Sequence, residues 1–174
     1  STTFNTTQSP AAAGDITIQP HLIGTTSGAQ GVFFIAGAGL TPGASGDITL
    51  GNAGTDAVRL GAMTATGDNF SAATVKLAGD YTALLAGNQV FTANTLDTQG
   101  NVLVTVGGDE AGSIVALGSV SIQAGGSATG HLTAGGPVDV SYGAGSNRVI
   151  DSAGPVNLSS TSGVIGGSIN SGGA

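Results

Sequence analysis

Four pieces of the chain decide its fold: GNVLV at residues 100–104, GSVSI at 118–122, GPVDV at 136–140 and GPVNL at 154–158. They recur every 18 residues. Each is a Gly, a spacer, a Val, a second spacer and a branched aliphatic residue. Alternation at i and i+2 is the strand period, so both aliphatic side chains point to one face. The spacers are mainly polar: Asn101, Ser119, Ser121, Asp139 and Asn157. The Gly before each strand permits a sharp corner through positive φ.

A second column keeps the same period: Leu96, Ile114, Leu132 and Ile150, followed two residues on by Thr98, Ala116, Ala134 and Ser152. Each unit therefore carries two apolar segments and a Gly/Ser-rich stretch. One such unit is one coil of a stack. Stacked coils pair strand on strand at ~4.8 Å, and equivalent side chains pile into ladders. A single coil cannot bury its own apolar face, so the stack is the folding unit. The expected fold is all-β: a single-stranded parallel β-helix, or β-solenoid, of about 18 residues per coil and nine or so coils.

The amino-terminal part repeats the element less evenly. Gly14-Asp15-Ile16-Thr17-Ile18 and Gly46-Asp47-Ile48-Thr49-Leu50 are near copies. Ala57-Val58-Arg59-Leu60 and Thr74-Val75-Lys76-Leu77 are further versions, and Gly31–Ile35 is another strand. Uneven spacing implies insertions at about residues 19–45 and 78–94, and residues 80–91 show no register. The chain divides into less regular coils over 1–93 and regular coils over 94–174, in one continuous domain. Ser1 opens without a Met, so the chain reads as a segment of something longer.

Composition limits the function. Among 174 residues there are 32 Gly, 40% hydrophobic residues and only 7% charged ones. That much hydrophobicity supports a folded core rather than disorder. The net charge is −7, and Arg59, Lys76 and Arg148 are the only Lys or Arg residues. Nucleic acid and anionic membrane surfaces are therefore poor partners. Without Cys there is no disulfide framework. No apolar run approaches the ~20 residues of a membrane helix.

The repeated Gly-Asp-Ile-Thr-[Ile/Leu] and Gly-x-Val-x-[Val/Ile/Leu] units resemble the repeat (shaft) region of filamentous haemagglutinin-like bacterial exoproteins and adhesins. GSVSIQAGG at 118–126 and GDITL at 46–50 carry the resemblance most closely. The resemblance implies a right-handed coil, a secreted fibre at the bacterial cell surface, and an outer-membrane secretion partner for the parent protein. The Asn-Pro motifs of that family's secretion domain are absent. Positions 96, 102, 114, 120, 132, 138, 150 and 156 also fit the six-residue grid of a left-handed helix. Large residues at the i+2 positions, and Gly108, Gly126, Ala144 and Ser162 on the third side, favour the right-handed form.

Candidate chemistry is sparse. Asp139 and Asp151 lie off the apolar column and read as outward, solvated charges. The Gly-Asp pairs at Asp15, Asp47, Asp68, Asp80 and Asp109 read as corner residues. Arg148, beside Asn147 and near Asp151, is the one basic residue in the regular half that a polysaccharide lyase could use, and Tyr142 the one aromatic; a structural role is the simpler reading. His21 and His131 are too few for a zinc site. Gly107-Gly108-Asp109-Glu110 is a lone imitation of a Ca²⁺-binding repeat, at which Asp109 and Glu110 could hold a cation. Phe33, Phe34, Phe70, Tyr81 and Phe91 read as core, as a cap or as a partner contact. The expectation is a non-enzymatic structural or adhesive segment without catalytic residues, metal or cofactor. It could assemble with itself end to end or laterally, or bind a host surface or glycan. The competing reading is a carbohydrate-active β-helix, a lyase or a tailspike-like fragment.

Overall fold

The structure, a computed structural model, describes residues 1–6, 14–19, 22–23, 30–37, 45–51 and 57–173. The chain begins with β1 (Thr2–Asn5), β2 (Ile16–Ile18), β3 (Leu22–Ile23), β4 (Gly31–Ile35), β5 (Ile48–Leu50) and β6 (Ala57–Leu60). There follow β7 (Ala62–Gly67), β8 (Phe70–Leu77), β9 (Tyr81–Leu85), β10 (Gln89–Thr98), β11 (Val102–Val106) and β12 (Glu110–Ala116). The regular end holds β13 (Val120–Ala124), β14 (Ala128–Ala134), β15 (Val138–Tyr142), β16 (Ser146–Ser152) and β17 (Val156–Ser160). Two short strands, β18 (Ile165–Gly166) and β19 (Ile169–Ser171), complete it. Among the described residues there is no helix.

The strands alternate between two sheets, as a coiled chain requires. A front sheet of eight strands runs in the order β1-β4-β7-β9-β11-β13-β15-β17. A back sheet of eleven takes the intervening strands. Every pairing is parallel, and most join equivalent strands of successive coils. The chain is a β-solenoid of about 18 residues per turn. Both sheets run unbroken through the expected division at residues 93 and 94. The eight front strands are slightly fewer than the nine coils expected.

The predicted columns coincide with the register. On the front sheet Val102, Val120, Val138 and Val156 stack directly, as do Val104, Ile122, Val140 and Leu158. On the back sheet Leu96, Ile114, Leu132 and Ile150 do the same. The near copies stack too: Ile16 on Ile48, and Val58 on Val75. These side chains form one continuous core between the sheets. Each buried Val, Leu or Ile contributes on the order of 1.5–3 kcal/mol. Burial falls away at the last coil, where Val164, Ile165 and Ile169 are exposed.

Two expectations need correction. Residues 80–91 are regular: Tyr81–Leu85 pairs with β7 and β11, and β10 pairs with β8 and β12. The insertion expected over 78–94 shrinks to a bulge in β10 between Phe91 and Thr95. Sequence spacing exposed the extra residues but not how a strand absorbs them. The insertion over 19–45 lies largely outside the described residues, although β4 is present within it. The corner glycines also serve a different purpose. Positive φ occurs at Gly112 and Gly130, inside back strands, and not at Gly100, Gly118, Gly136 or Gly154. At Gly118 a Cβ would come within 2.7 Å of the Gly100 carbonyl oxygen one coil away. These corners need Gly because coils stack backbone on backbone.

Candidate functional site

Three columns of the regular half break their own rule, and two of the exceptions meet. At the start of the back strands, Gln89, Glu110, Ala128 and Ser146 stack in register, continuing from Phe70. Two residues further along, where Gly112 and Gly130 stand in neighbouring coils, β16 carries Arg148. At the end of the front strands, Tyr142 stacks on Ala124. All of these but the two glycines are inward positions, Gly112 being half-buried and Gly130 exposed. Glu110, Gln89 and Arg148 are 0–1% exposed, and Tyr142 is 2% exposed.

The Arg148 side chain runs along the axis, two coils back. Its Nη2 donates to the Thr129 carbonyl at 2.9 Å and to the Gly112 carbonyl at 3.2 Å. The same nitrogen meets the Glu110 carboxylate in a fully buried ion pair. Tyr81 extends the polar line by donating to Gln89 Oε1 at 2.8 Å. Its ring packs with Phe70 and Phe91, all three centroids 5.8–6.1 Å apart, which closes the polar line on that side. Burial pushes the Glu110 carboxyl up to about 7, against the opposing pull of Arg148 and, less, of Gln89. Burial, and then the Glu110 charge, hold the Tyr81 phenol well above its ordinary value.

The outside is built from ladders at the corners. Asp15 Oδ1 accepts from the Asp47 N–H, Asp47 from Asn69, Asn69 from Asn88, Asn88 from Asp109, and Asp109 from Ser127. A second ladder runs from Asp80 to Asn101 to Ser119. It stops at the next corner, where Pro137 offers no N–H. Asp15, Asp47, Asp80 and Asp109 are thus corner residues, as their Gly-Asp setting implied. On the outer face of the back sheet His131 Nε2 and Asp151 Oδ2 lie 2.7 Å apart.

Two minor alternatives weighed in the sequence find no support in the geometry. Arg148 faces inward, away from Asn147 and Asp151, so it offers no cation to an outside substrate. Asp109 and Glu110 do not converge on a cation: Asp109 is in a corner ladder while Glu110 points into the core. Asp109 closes the corner and Glu110 opens β12, and the two side chains point to opposite sides. Asp139 does point outward, and accepts from Asn157 Nδ2 at 3.2 Å. Phe34, Phe70, Tyr81 and Phe91 are core, whereas Phe33 is 40% exposed. His21 lies outside the described residues. Among the described residues no three His, Cys, Asp or Glu side chains form a metal-binding group.

Sequence reasoning missed Gln89, Ser146 and the inward direction of Glu110 and Arg148. The signal was there: the 18-residue period puts Arg148 in a Gly column and Glu110 in an Ala/Ser column. No known family model matches the chain, nor does any curated protein or solved structure.

Proposed function

We propose that this chain is a structural segment of a secreted bacterial surface fibre, a rigid shaft whose faces serve adhesion or lateral packing. The observation that supports this reading best is continuity. Two sheets, a continuous core and the corner ladders run lengthwise through successive coils. A pull along the axis is shared among many parallel backbone hydrogen bonds, and each coil is braced by its neighbours. The outward faces suit contact with other surfaces. They carry few charges, and Phe33, Leu84 and Leu103 stand exposed at 39–50% on the front sheet, among Thr64, Thr66, Thr82 and Thr105. The inward orientation of Arg148 removes the basic residue on which a lyase reading of the regular half relied. Localisation at the cell surface and export through an outer-membrane partner are part of the proposal, and rest on the likeness of the repeats to shaft repeats.

The test is immunogold electron microscopy of source cells and shed material with an antibody against this segment. Label strung along thin fibres is the expected result. Label confined to soluble, non-fibrous material overturns the proposal.

A further inference from the structure

We infer that the front sheet packs face to face on the front sheet of a second copy of this chain, about a two-fold axis lying along the strands between β7 and β9. The inference deepens the lateral packing of the shaft reading and rests on that reading. What carries it is the order of side chains on the outside of the sheet. From β1 to β13 one outward column reads Thr3, Phe33, Thr64, Thr82, Leu103, Ser121. The order is the same from either end: a small polar residue, a large apolar one and a Thr, then the reverse. A half-turn about the axis lays this column on itself in the opposite sense. Phe33 then meets Leu103 of the second copy, and Thr64 meets Thr82. In the neighbouring column Thr66 stacks on Leu84, and the same half-turn sets each against the other across the interface. Phe33 and Leu103, 40% and 50% exposed, thus cover each other twice in one symmetric contact.

Charge selects this face over the other. Along these six strands every outward side chain is uncharged, and the first charge is Asp139 on β15. The half-turn leaves Asp139 beyond the edge of the second copy's β1, in solvent. The outer face of the back sheet, by contrast, carries Arg59, Lys76, Asp97 and Asp151. Two chains of net charge −7 can meet through the front face without burying a charge. Stacked sheets sit ~10 Å apart with their strands aligned within about 30°, which this axis satisfies.

The area sets the strength. Six strands at ~4.8 Å and about five residues at ~3.3 Å make a face of roughly 500 Å² on each copy. The pair buries about 1,000 Å², the lower bound of a specific interface. The dimer is therefore a weak one, dissociating in roughly the micromolar range.

Sedimentation velocity of the intact chain over a concentration series tests this. A monomer–dimer equilibrium is the expected result. A monomer at every concentration up to about 1 mM overturns the inference and leaves the face to another kind of partner. Phe33→Lys and Leu103→Glu each set a charge against an apolar residue twice per dimer, and each should weaken association at least about tenfold. Mixed in equal amounts the two variants should dimerise again, because a mixed pair holds one Lys–Glu contact and one native Phe33–Leu103 contact. A mixture that stays monomeric overturns the two-fold pairing. Val149→Glu on the back face should change nothing, and loss of the dimer there moves the interface off the front sheet. Small-angle X-ray scattering of the wild-type dimer needs no variant: two solenoids side by side are expected, and an end-to-end rod overturns the pairing. The fibre test fails separately. A monomer sinks the pairing even where label follows fibres, and label away from fibres sinks the shaft reading even where the dimer forms.

Discussion

Arg148 of β16 and Glu110 of β12 form a buried ion pair that skips a whole coil, with β14 between them and the Arg148 guanidinium bonded to the Thr129 carbonyl on the way. Among the described residues it is the one buried ion pair, in a stack whose aliphatic columns are nearly interchangeable. A coil displaced by one repeat would still set aliphatic residues on aliphatic residues, but it would separate these two charges. The pair therefore marks the correct register, in the way a buried polar residue can fix the alignment of otherwise uniform apolar seams.

Removing one partner leaves the other buried without its counter-charge, and Glu110 without Arg148 takes up a proton more readily. Glu110→Ala or Arg148→Ala should each cost about 3–5 kcal/mol. Glu110→Ala/Arg148→Gly should recover most of that loss, because it deletes both charges and returns the columns to Ala and Gly. Urea unfolding of all four proteins closes the double-mutant cycle. Additive losses would show that the two side chains act separately.

Stability should depend on pH through Glu110. Its carboxyl sits near 7 when folded, against 4.5 for the ordinary group. Between those values the folded chain binds more protons than the unfolded one, so stability falls as pH rises through this window. The groups facing it are Arg148, Gln89 and Tyr81, and none of them reverses the sign. The wild-type urea midpoint should therefore be higher at pH 5 than at pH 8, relative to Glu110→Gln at the same two values. The effect should be on the order of a few kcal/mol at most. Parallel pH profiles in the two proteins would contradict it.

The mid-strand bend at Gly130 should tolerate no side chain. Its φ is +111°, and a Cβ there would fall 2.2 Å from the Gly112 carbonyl oxygen. Gly130→Ala should cost at least about 1–3 kcal/mol from the backbone conformation alone. Gly31→Ala is the control: nothing lies within 4 Å of its added Cβ. It should be neutral, or stabilise by up to about 1 kcal/mol. Thermal melts of the two variants separate bend from strand.

The corner ladder should carry measurable stability at Asn101. Its Oδ1 accepts from both the N–H and the hydroxyl of Ser119, each at 2.9 Å, and its Nδ2 donates to Asp80. Asn101→Ala should cost about 1–2 kcal/mol. Asn157→Ala removes one exposed contact at 3.2 Å and should change stability by no more than about 0.5 kcal/mol. Comparable losses at both sites would deny the ladder its special part.

Most of the fold was written in local pattern. The i, i+2 alternation of Val120 and Ile122 set the inward face of a strand, and the 18-residue interval to Val138 and Val140 set its neighbour and its register. Both are short-range properties repeated at constant spacing, so the amino-acid order alone determined parallel stacking, the apolar columns and the corner role of Asp15, Asp47, Asp80 and Asp109. The bulge in β10 and the meeting of Glu110 and Arg148 were decided only by the tertiary structure. Their directions follow from how each coil bends at Gly112 and Gly130 and how closely the corners stack. Two charges two coils apart come together only once those bends have turned both of them into the same interior.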